Sequence, residues 1–326
     1  MNRDIFLSVD IPKNDYYANM YDIENLTSLS KREKTQVKNI KDIEDQVLRD
    51  NCEKAQMELE KLISKDTKES EIYMLYGALT IKNIVLEGKS LSPKHAALQE
   101  LKEYLRLPEK EISKKMLVEV PVAEEWKKFN PDITNEEEIN NFYSKTDAYV
   151  FELMAANHII QTLYSYFILT EKLKKLKVKK IIDYGAGAGT LCILFKKLGY
   201  DIDYADLPGK LSDFAKWRFE KRNIEIPMID MAQKPIDEES YDCIISTEVI
   251  EHVVNPIKLL ELFSQTLKGG GVLVVSESCE YIEDFSSHLE SNRKYGGKEF
   301  IDIVEKMGFK QVMKEPFIPQ LIFIKQ

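Results

Sequence analysis

The sequence predicts an α/β fold, a mostly parallel sheet covered by helices on both faces, with a smaller helical domain ahead of it. Three observations carry this. Short apolar runs at Lys180–Tyr184, Asp201–Ala205, Tyr241–Ser246 and Gly271–Ser276 alternate with helix-like stretches at Thr190–Leu198, Gly209–Lys221 and Pro256–Leu267. Strands buried on both faces by crossover helices read as such continuous apolar runs. Ahead of these runs, apolar residues recur only at helical spacing, as at Val37, Ile40, Ile43, Val47 and Leu48, a stripe expected to run from Thr35 to Ile63. At the chain end, Phe309–Lys314 and Gln320–Lys325 flank Glu315–Pro319, a spacing suited to an antiparallel hairpin at the sheet edge.

At 326 residues the chain accommodates one large core and a smaller attachment. A helical accessory domain is expected over 1–120, a polar linker around Trp126 and Pro131 over 121–145, and the sheet domain over 146–326, entered by a helical stretch to about Lys175. Within the first domain a helix is expected over Glu71–Leu86, and another begins where Ser92 can cap and Pro93 can occupy the first turn. These helices would stabilise the protein, pair two chains as a homodimer, or select substrate. A formal net charge of -9 disfavours a nucleic-acid partner. The six lysines between Lys172 and Lys180 suit a helix C-terminus equally well. The acids in MNRDIFLSVDIPKNDYY argue against a signal peptide, and no apolar window is long enough for a membrane span. A cytoplasmic protein is expected, with Cys52, Cys192, Cys243 and Cys279 as reduced thiols.

The segment IIDYGAGAGT places Asp183, Gly185, Gly187 and Gly189 at the end of the first apolar run. Glycines allow a tight turn and close approach of a ligand to backbone, and the following helix points unpaired N–H groups at it. The dinucleotide spacing G-x-G-x-x-G fails here, because Thr190 stands at its last position. A carboxylate beside the loop repels a pyrophosphate and suits an ammonium or sulfonium. Asp206 closes the second run, where an acid can accept the hydroxyls of a ribose, and Asp230 closes IEIPMID, where an adenine amino group could find an acceptor. The three acids together describe a nucleoside with a positively charged tail.

The stretches DYGAGAG, YADLPG, IDM and YDCIISTEVIEHVVNPIKLLELFSQTLKGGGVLVVSE resemble the class I S-adenosylmethionine-dependent methyltransferases, from about Thr146 to the C-terminus. The resemblance implies a Rossmann-like seven-stranded sheet with one antiparallel strand near the chain end, and S-adenosyl-L-methionine as cofactor. It places the methionine part on Asp183, Gly185, Ala186, Gly187 and Gly189, the ribose on Asp206, and the adenine on Asp230 and Met231; Leu207 and Glu248 complete the cofactor set. The sequence departs from the family where KGGG puts Gly269 in place of the usual proline, which loosens a turn.

Methyl transfer from a sulfonium is a direct displacement, so the protein has to align donor and acceptor and exclude water; a base is needed only if the acceptor loses a proton. His252 and Glu248, just past the fourth run, are the catalytic candidates. Tyr143, Tyr149, Tyr281 and His288 are candidates for the acceptor pocket. The expected acceptor is an oxygen, nitrogen or carbon of a small molecule; RNA or protein acceptors and a non-catalytic scaffold are the alternatives. The spacing E-x-x-E-H also resembles metal-ligand patterns in two branches of the family, the ubiquinone-pathway O-methyltransferases and the small-RNA 2′-O-methyltransferases. In that alternative Glu248, Glu251, His252 and His288 would hold a divalent ion.

Overall fold

The computed structural model describes residues 42, 46–47, 49–63, 71–116, 120–232, 236–279, 286–314 and 319–326. They fall into two compact units, one of residues 1–118 with 154–168, the other of 119–153 with 169–326.

The first unit contains α1 (Cys52–Leu62), α2 (Glu71–Val85), α3 (Pro93–Leu105) and α4 (Glu109–Lys115). Ser92 caps α3 by accepting the His95 N–H at 3.3 Å, with Pro93 in the first turn, where its missing N–H costs nothing. Of the apolar stripe expected from Thr35 to Ile63, Val37, Ile40, Ile43 and Leu48 lie outside the described residues, and the described part turns at Asp50, whose φ of 57° is left-handed. That turn brings the Asp50 carboxylate to the Ser92 N–H at 2.6 Å and to His95 Nδ1 at 2.7 Å. Lys82 is fully buried and donates to the carbonyls of Gly88 and Lys89 at 2.7 and 3.0 Å, which satisfies its charge inside an apolar bundle.

The second unit begins with α5 (Val120–Phe129) and α6 (Glu136–Lys145), where the sequence suggested a linker. Both are short, α6 is mostly polar, and aromatic contacts join the two. The Phe142 ring lies 4.8 Å from Trp126 and 5.6 Å from Phe129, and Asn135 caps α6 by accepting the N–H groups of Glu137 and Glu138. The helical stretch expected to run unbroken to Lys175 is two helices, α7 (Ala148–Ala156) and α8 (Ile160–Lys175). The N–H groups of His158 and Ile159 reach back only three residues, to Ala155 and Ala156, and close α7.

The sheet follows: β1 (Lys180–Tyr184), α9 (Thr190–Lys197), β2 (Asp201–Asp206), α10 (Lys210–Lys221), β3 (Met228–Asp230), β4 (Tyr241–Thr247), α11 (Pro256–Thr266), β5 (Leu267–Ser276), α12 (Gly297–Lys306), β6 (Phe309–Lys314) and β7 (Leu321–Lys325). Its strand order is β3-β2-β1-β4-β5-β7-β6, with β7 antiparallel to both neighbours, as the resemblance implied. Central strands bury Ile182, Ile244, Leu273 and Val275 against Leu260, Phe263, Phe300 and Phe323. β5 starts at Leu267 directly after α11, and KGGG bulges out of it: Leu267 pairs with Tyr241 and Val272 with Cys243, with Gly270 at a left-handed φ of 74° between them. Among the described residues no helix is long and apolar enough to cross a membrane. The four cysteines are buried and unpaired with one another.

The reversal of strand order falls beside β1, between β2 and β4, where open α/β sheets form a crevice beyond the strand carboxyl ends. The α6–α7 segment packs on that end: a Cβ on Gly209, at the start of α10, would stand 2.2 Å from the Ser144 carbonyl oxygen. Backbone cannot yield there as a flexible side chain would. Gly209→Ala should cost about 1–3 kcal/mol, the range for overpacking. A lower urea midpoint with unchanged m-value is expected; an unaltered midpoint would contradict the contact.

Candidate active site

The loop Gly185–Gly189 joins β1 to α9, and its three glycines have φ of 71°, 55° and 68°. They are also crowded. A Cβ at Gly185 would lie 2.4 Å from Val249, at Gly187 2.6 Å from Leu153, and at Gly189 2.6 Å from the Phe219 ring. Left-handed backbone and adjacent side chains each demand glycine. Gly185 and Ala186 both donate to the Ala205 carbonyl, at 2.9 and 3.2 Å. The Asp206 carboxylate accepts the Gly187 N–H at 2.6 Å and the Leu207 N–H at 2.7 Å. Beneath the loop, the wholly buried Arg218 donates to the Ala188 carbonyl at 2.7 Å and to Thr190 Oγ1 at 2.8 Å.

Strand pairing aligns the acids. Asp206 faces Asp230 across β2 and β3, while Asp183 sits one residue before the end of the neighbouring β1. Asp183 is buried and accepts the Cys192 thiol at 3.4 Å; burial pushes its carboxyl up to about 7. Burial likewise pushes Asp206 up to about 6, against the pull of its two amide donors. Asp230 turns its own backbone by accepting the Ala232 N–H at 2.8 Å, and the Met231 N–H reaches the Asp206 carbonyl at 3.2 Å.

Past β4, Glu248 has a left-handed φ of 53°; its N–H donates to Ser276 Oγ at 3.1 Å and its carboxylate accepts the Ser278 hydroxyl at 2.5 Å. One turn of 3-10 helix follows, Ile250–His252. The buried Asn292 amide holds this turn by donating to the carbonyls of Ile250, Glu251 and Val253 at 3.3, 3.2 and 2.8 Å. The result is a trio of ligand-type side chains, Glu251, His252 and His288, whose donor atoms lie within 4.8 Å of one another.

Glu251 is fully buried, and neither carboxylate oxygen has a hydrogen-bond partner. Burial, then the charge of Glu248, holds its carboxyl well above the usual range. Nε2 of His252 and Nε2 of His288 each stand 4.0 Å from Glu251 Oε1. Burial lowers the pKa of His252, and burial followed by the neighbouring His252 lowers that of His288 to about 2, so both rings are neutral and carry lone pairs. Tyr143 and Tyr149 pack on His252 with ring centroids 5.7 and 6.4 Å away. A buried carboxylate beside two neutral imidazoles can hold a divalent cation or handle a proton.

Of the residues singled out in the sequence, the structure brings Tyr143, Tyr149, Glu251, His252 and His288 together. Glu248 bonds Ser278 and lies beside Glu251, whose carboxyl is raised by burial and then by the Glu248 charge, while the trio itself is Glu251, His252 and His288. Tyr281 lies outside the described residues, and the buried His158 belongs to the first unit. Asn292, Arg218, Ser278 and Ser287 went unnoticed, because each acts on partners that only the fold brings near.

The methyltransferase domain family matches residues 156–313. The ubiquinone biosynthesis O-methyltransferase of Ruegeria sp. (strain TM1040) is 30% identical over 99 residues, 30% of this chain and 40% of that protein. The protein of the same name from Actinobacillus pleuropneumoniae serotype 7 (strain AP76) is 27% identical over 157 residues, 42% of this chain and 65% of its own. The chain thus spans less than two thirds of the length of these curated relatives. A solved SAM-dependent methyltransferase from Thermotoga maritima aligns over 49% of this chain and 89% of its own, at 17% identity and a TM-score of 0.35.

Asn292→Ala should leave three carbonyls around the 3-10 turn without their shared donor, at a cost of about 1–3 kcal/mol. Urea unfolding checks the cost. Hydrogen exchange should localise it to residues 250–253, and uniform exchange would refute the role.

Proposed function

We propose that the chain, whose residues 156–313 match the methyltransferase domain family, binds S-adenosyl-L-methionine above β1–β3 and methylates an oxygen of a small-molecule acceptor. The observation that carries the cofactor assignment is the set Asp183, Asp206 and Asp230 at three adjacent strand ends around a loop reduced to bare backbone. Two findings support oxygen as the acceptor atom: the curated relatives are named O-methyltransferases, and the Glu251–His252–His288 trio is suited to managing a hydroxyl.

The cofactor supplies an electrophilic methyl group on a sulfonium that leaves neutral, and the chain's residues bind and align. Asp206 keeps lone pairs beyond those used by Gly187 and Leu207, and these accept the ribose hydroxyls. Asp230 and Met231 border the adenine, and Asp183 with Gly185, Ala186, Gly187 and Gly189 takes the cationic methionine end. Glu248, fixed between Ser276 and Ser278, stands between cofactor and acceptor. Tyr143, Tyr149 and His288 line the acceptor side and exclude water.

The trio fits a divalent cation, because the buried Glu251 carboxylate has no hydrogen-bond donor while two neutral imidazoles face it. A cation there would position and acidify the acceptor hydroxyl. In a metal-free reaction, His252 takes the hydroxyl proton as general base. The proposal also includes a cytoplasmic location, in keeping with the buried free thiols, a small molecule rather than a nucleic acid as acceptor, given the net charge of -9, and pairing of two copies through the N-terminal helices.

Two measurements test this reading. Burial pushes the Asp183 carboxyl up to about 7, and a bound cationic methionine end favours its charged form, so binding below that pH expels a proton. Calorimetric affinity for S-adenosylmethionine should therefore rise about tenfold per pH unit from pH 5 to 7 and level off above. Asp183→Asn should flatten this rise, and an unchanged slope would refute the Asp183 assignment. Equilibration with a chelator should abolish most turnover, with recovery on adding Mg²⁺ or Mn²⁺; undiminished turnover assigns His252 as a metal-free base.

A further inference from the structure

His252 carries one ring nitrogen that faces the trio and one that faces away. Nε2 is the atom 4.0 Å from Glu251 Oε1. Nδ1 points to the other side, where it lies 2.9 Å from the Tyr143 hydroxyl and 3.2 Å from the Ser287 carbonyl oxygen. A carbonyl oxygen only accepts, so this contact requires the proton on Nδ1. A tyrosine hydroxyl can accept from the same N–H. The opposite tautomer would aim the Nδ1 lone pair at the lone pairs of the Ser287 carbonyl. With the proton on Nδ1, the sole lone pair of a neutral imidazole is at Nε2, on the side of Glu251 and His288.

Both groups around Nδ1 are held by the same stretch of chain. Tyr143, on α6, packs against Trp126 at 6.4 Å and Tyr149 at 5.5 Å. Tyr149, on α7, hydrogen-bonds Ser287 Oγ at 2.8 Å and so pins the residue whose carbonyl takes the proton. The segment between them is wedged against the strand-end loops, with Ser144 on Gly209 and Leu153 on Gly187.

We propose that Tyr149 is a positioning residue that, by pinning Ser287, holds the carbonyl that keeps the His252 proton on Nδ1 and thereby aims the Nε2 lone pair at Glu251 and His288. This rests on the reading of the trio as the working end of the site. It assigns Tyr149, expected from sequence to line the acceptor pocket, a second task of setting the imidazole's tautomer; the Tyr143 hydroxyl donates or accepts and does not choose between tautomers. An outer partner that fixes a histidine tautomer typically matters by 10–100-fold in metal affinity.

The test is nitrogen-15 NMR of the full chain labelled at histidine, with His252→Ala identifying the His252 signals. Wild type should show a protonated Nδ1 and an unprotonated Nε2. Tyr149→Phe frees Ser287 and lets the Tyr143 hydroxyl donate to Nδ1, so it should give a mixture of tautomers at His252 and leave the signals of His95 and His158 in place. Titration with Co²⁺ alone should show Tyr149→Phe weakened about 10–100-fold, with S-adenosylmethionine affinity unchanged by calorimetry. A wild-type His252 protonated on Nε2 overturns the proposal, and that spectrum decides even if the variant folds poorly. So does a folded Tyr149→Phe with unaltered tautomer. A wild type with the expected tautomer and no Co²⁺ uptake sinks the metal reading alone, and the tautomer shift in Tyr149→Phe then still supports the role of Tyr149.

Discussion

The Asp206 carboxylate organises the carboxyl end of this sheet by accepting two backbone N–H groups, one from the glycine loop after β1 and one from its own strand end. A carboxylate satisfied by amides locks a loop whose side chains are only the methyl groups of Ala186 and Ala188. Ala205 adds to this by accepting from Gly185 and Ala186. The loop is therefore tied to β2 before any ligand arrives, and the acids of β1 and β3 inherit their places from the register of these strands. Preorganised polar groups of this kind avoid the reorganisation that a flexible loop would need on binding.

The second polar centre is held differently. Glu251 carries a buried carboxyl group with no hydrogen-bond donor, beside the Glu248 charge and two imidazoles, an arrangement that costs stability unless a proton or a cation compensates it. Neighbouring side chains hold the turn from outside: Asn292 gathers three carbonyls, and Leu289 N–H donates to the Glu251 carbonyl at 3.0 Å. Such a site is placed by backbone clamps and left unsatisfied at its functional atoms, the pattern expected where binding or chemistry uses those atoms.

Much of this fold was legible in the sequence. Parallel central strands must be apolar on both faces, so β1, β2 and β4 stand out as short runs between helical stretches. The start of β5 was not legible, because exposed glycines carry no strand pattern. Nor was the helical nature of 121–145: α6 buries only Ile139 and Phe142, too little apolar surface to mark a face in a polar stretch. At the site, the acids were readable because each sits at a strand end, a local feature. The contact between Tyr143 and His252 spans 109 residues of sequence and arises only when α6 folds across the strand ends. Arg218 and Asn292 act on backbone carbonyls, which have no sequence signature.

The glycine loop is compressed by three side chains from three places, Val249 after β4, Leu153 on α7 and Phe219 on α10. Tolerance at each glycine is therefore shared with one distant residue. A larger residue at position 189 has room only once Phe219 shrinks, and position 185 depends in the same way on Val249. Crowding in this motif is set by a different element at each position, so its relief arises outside the loop, in α7, in α10 or in the turn after β4.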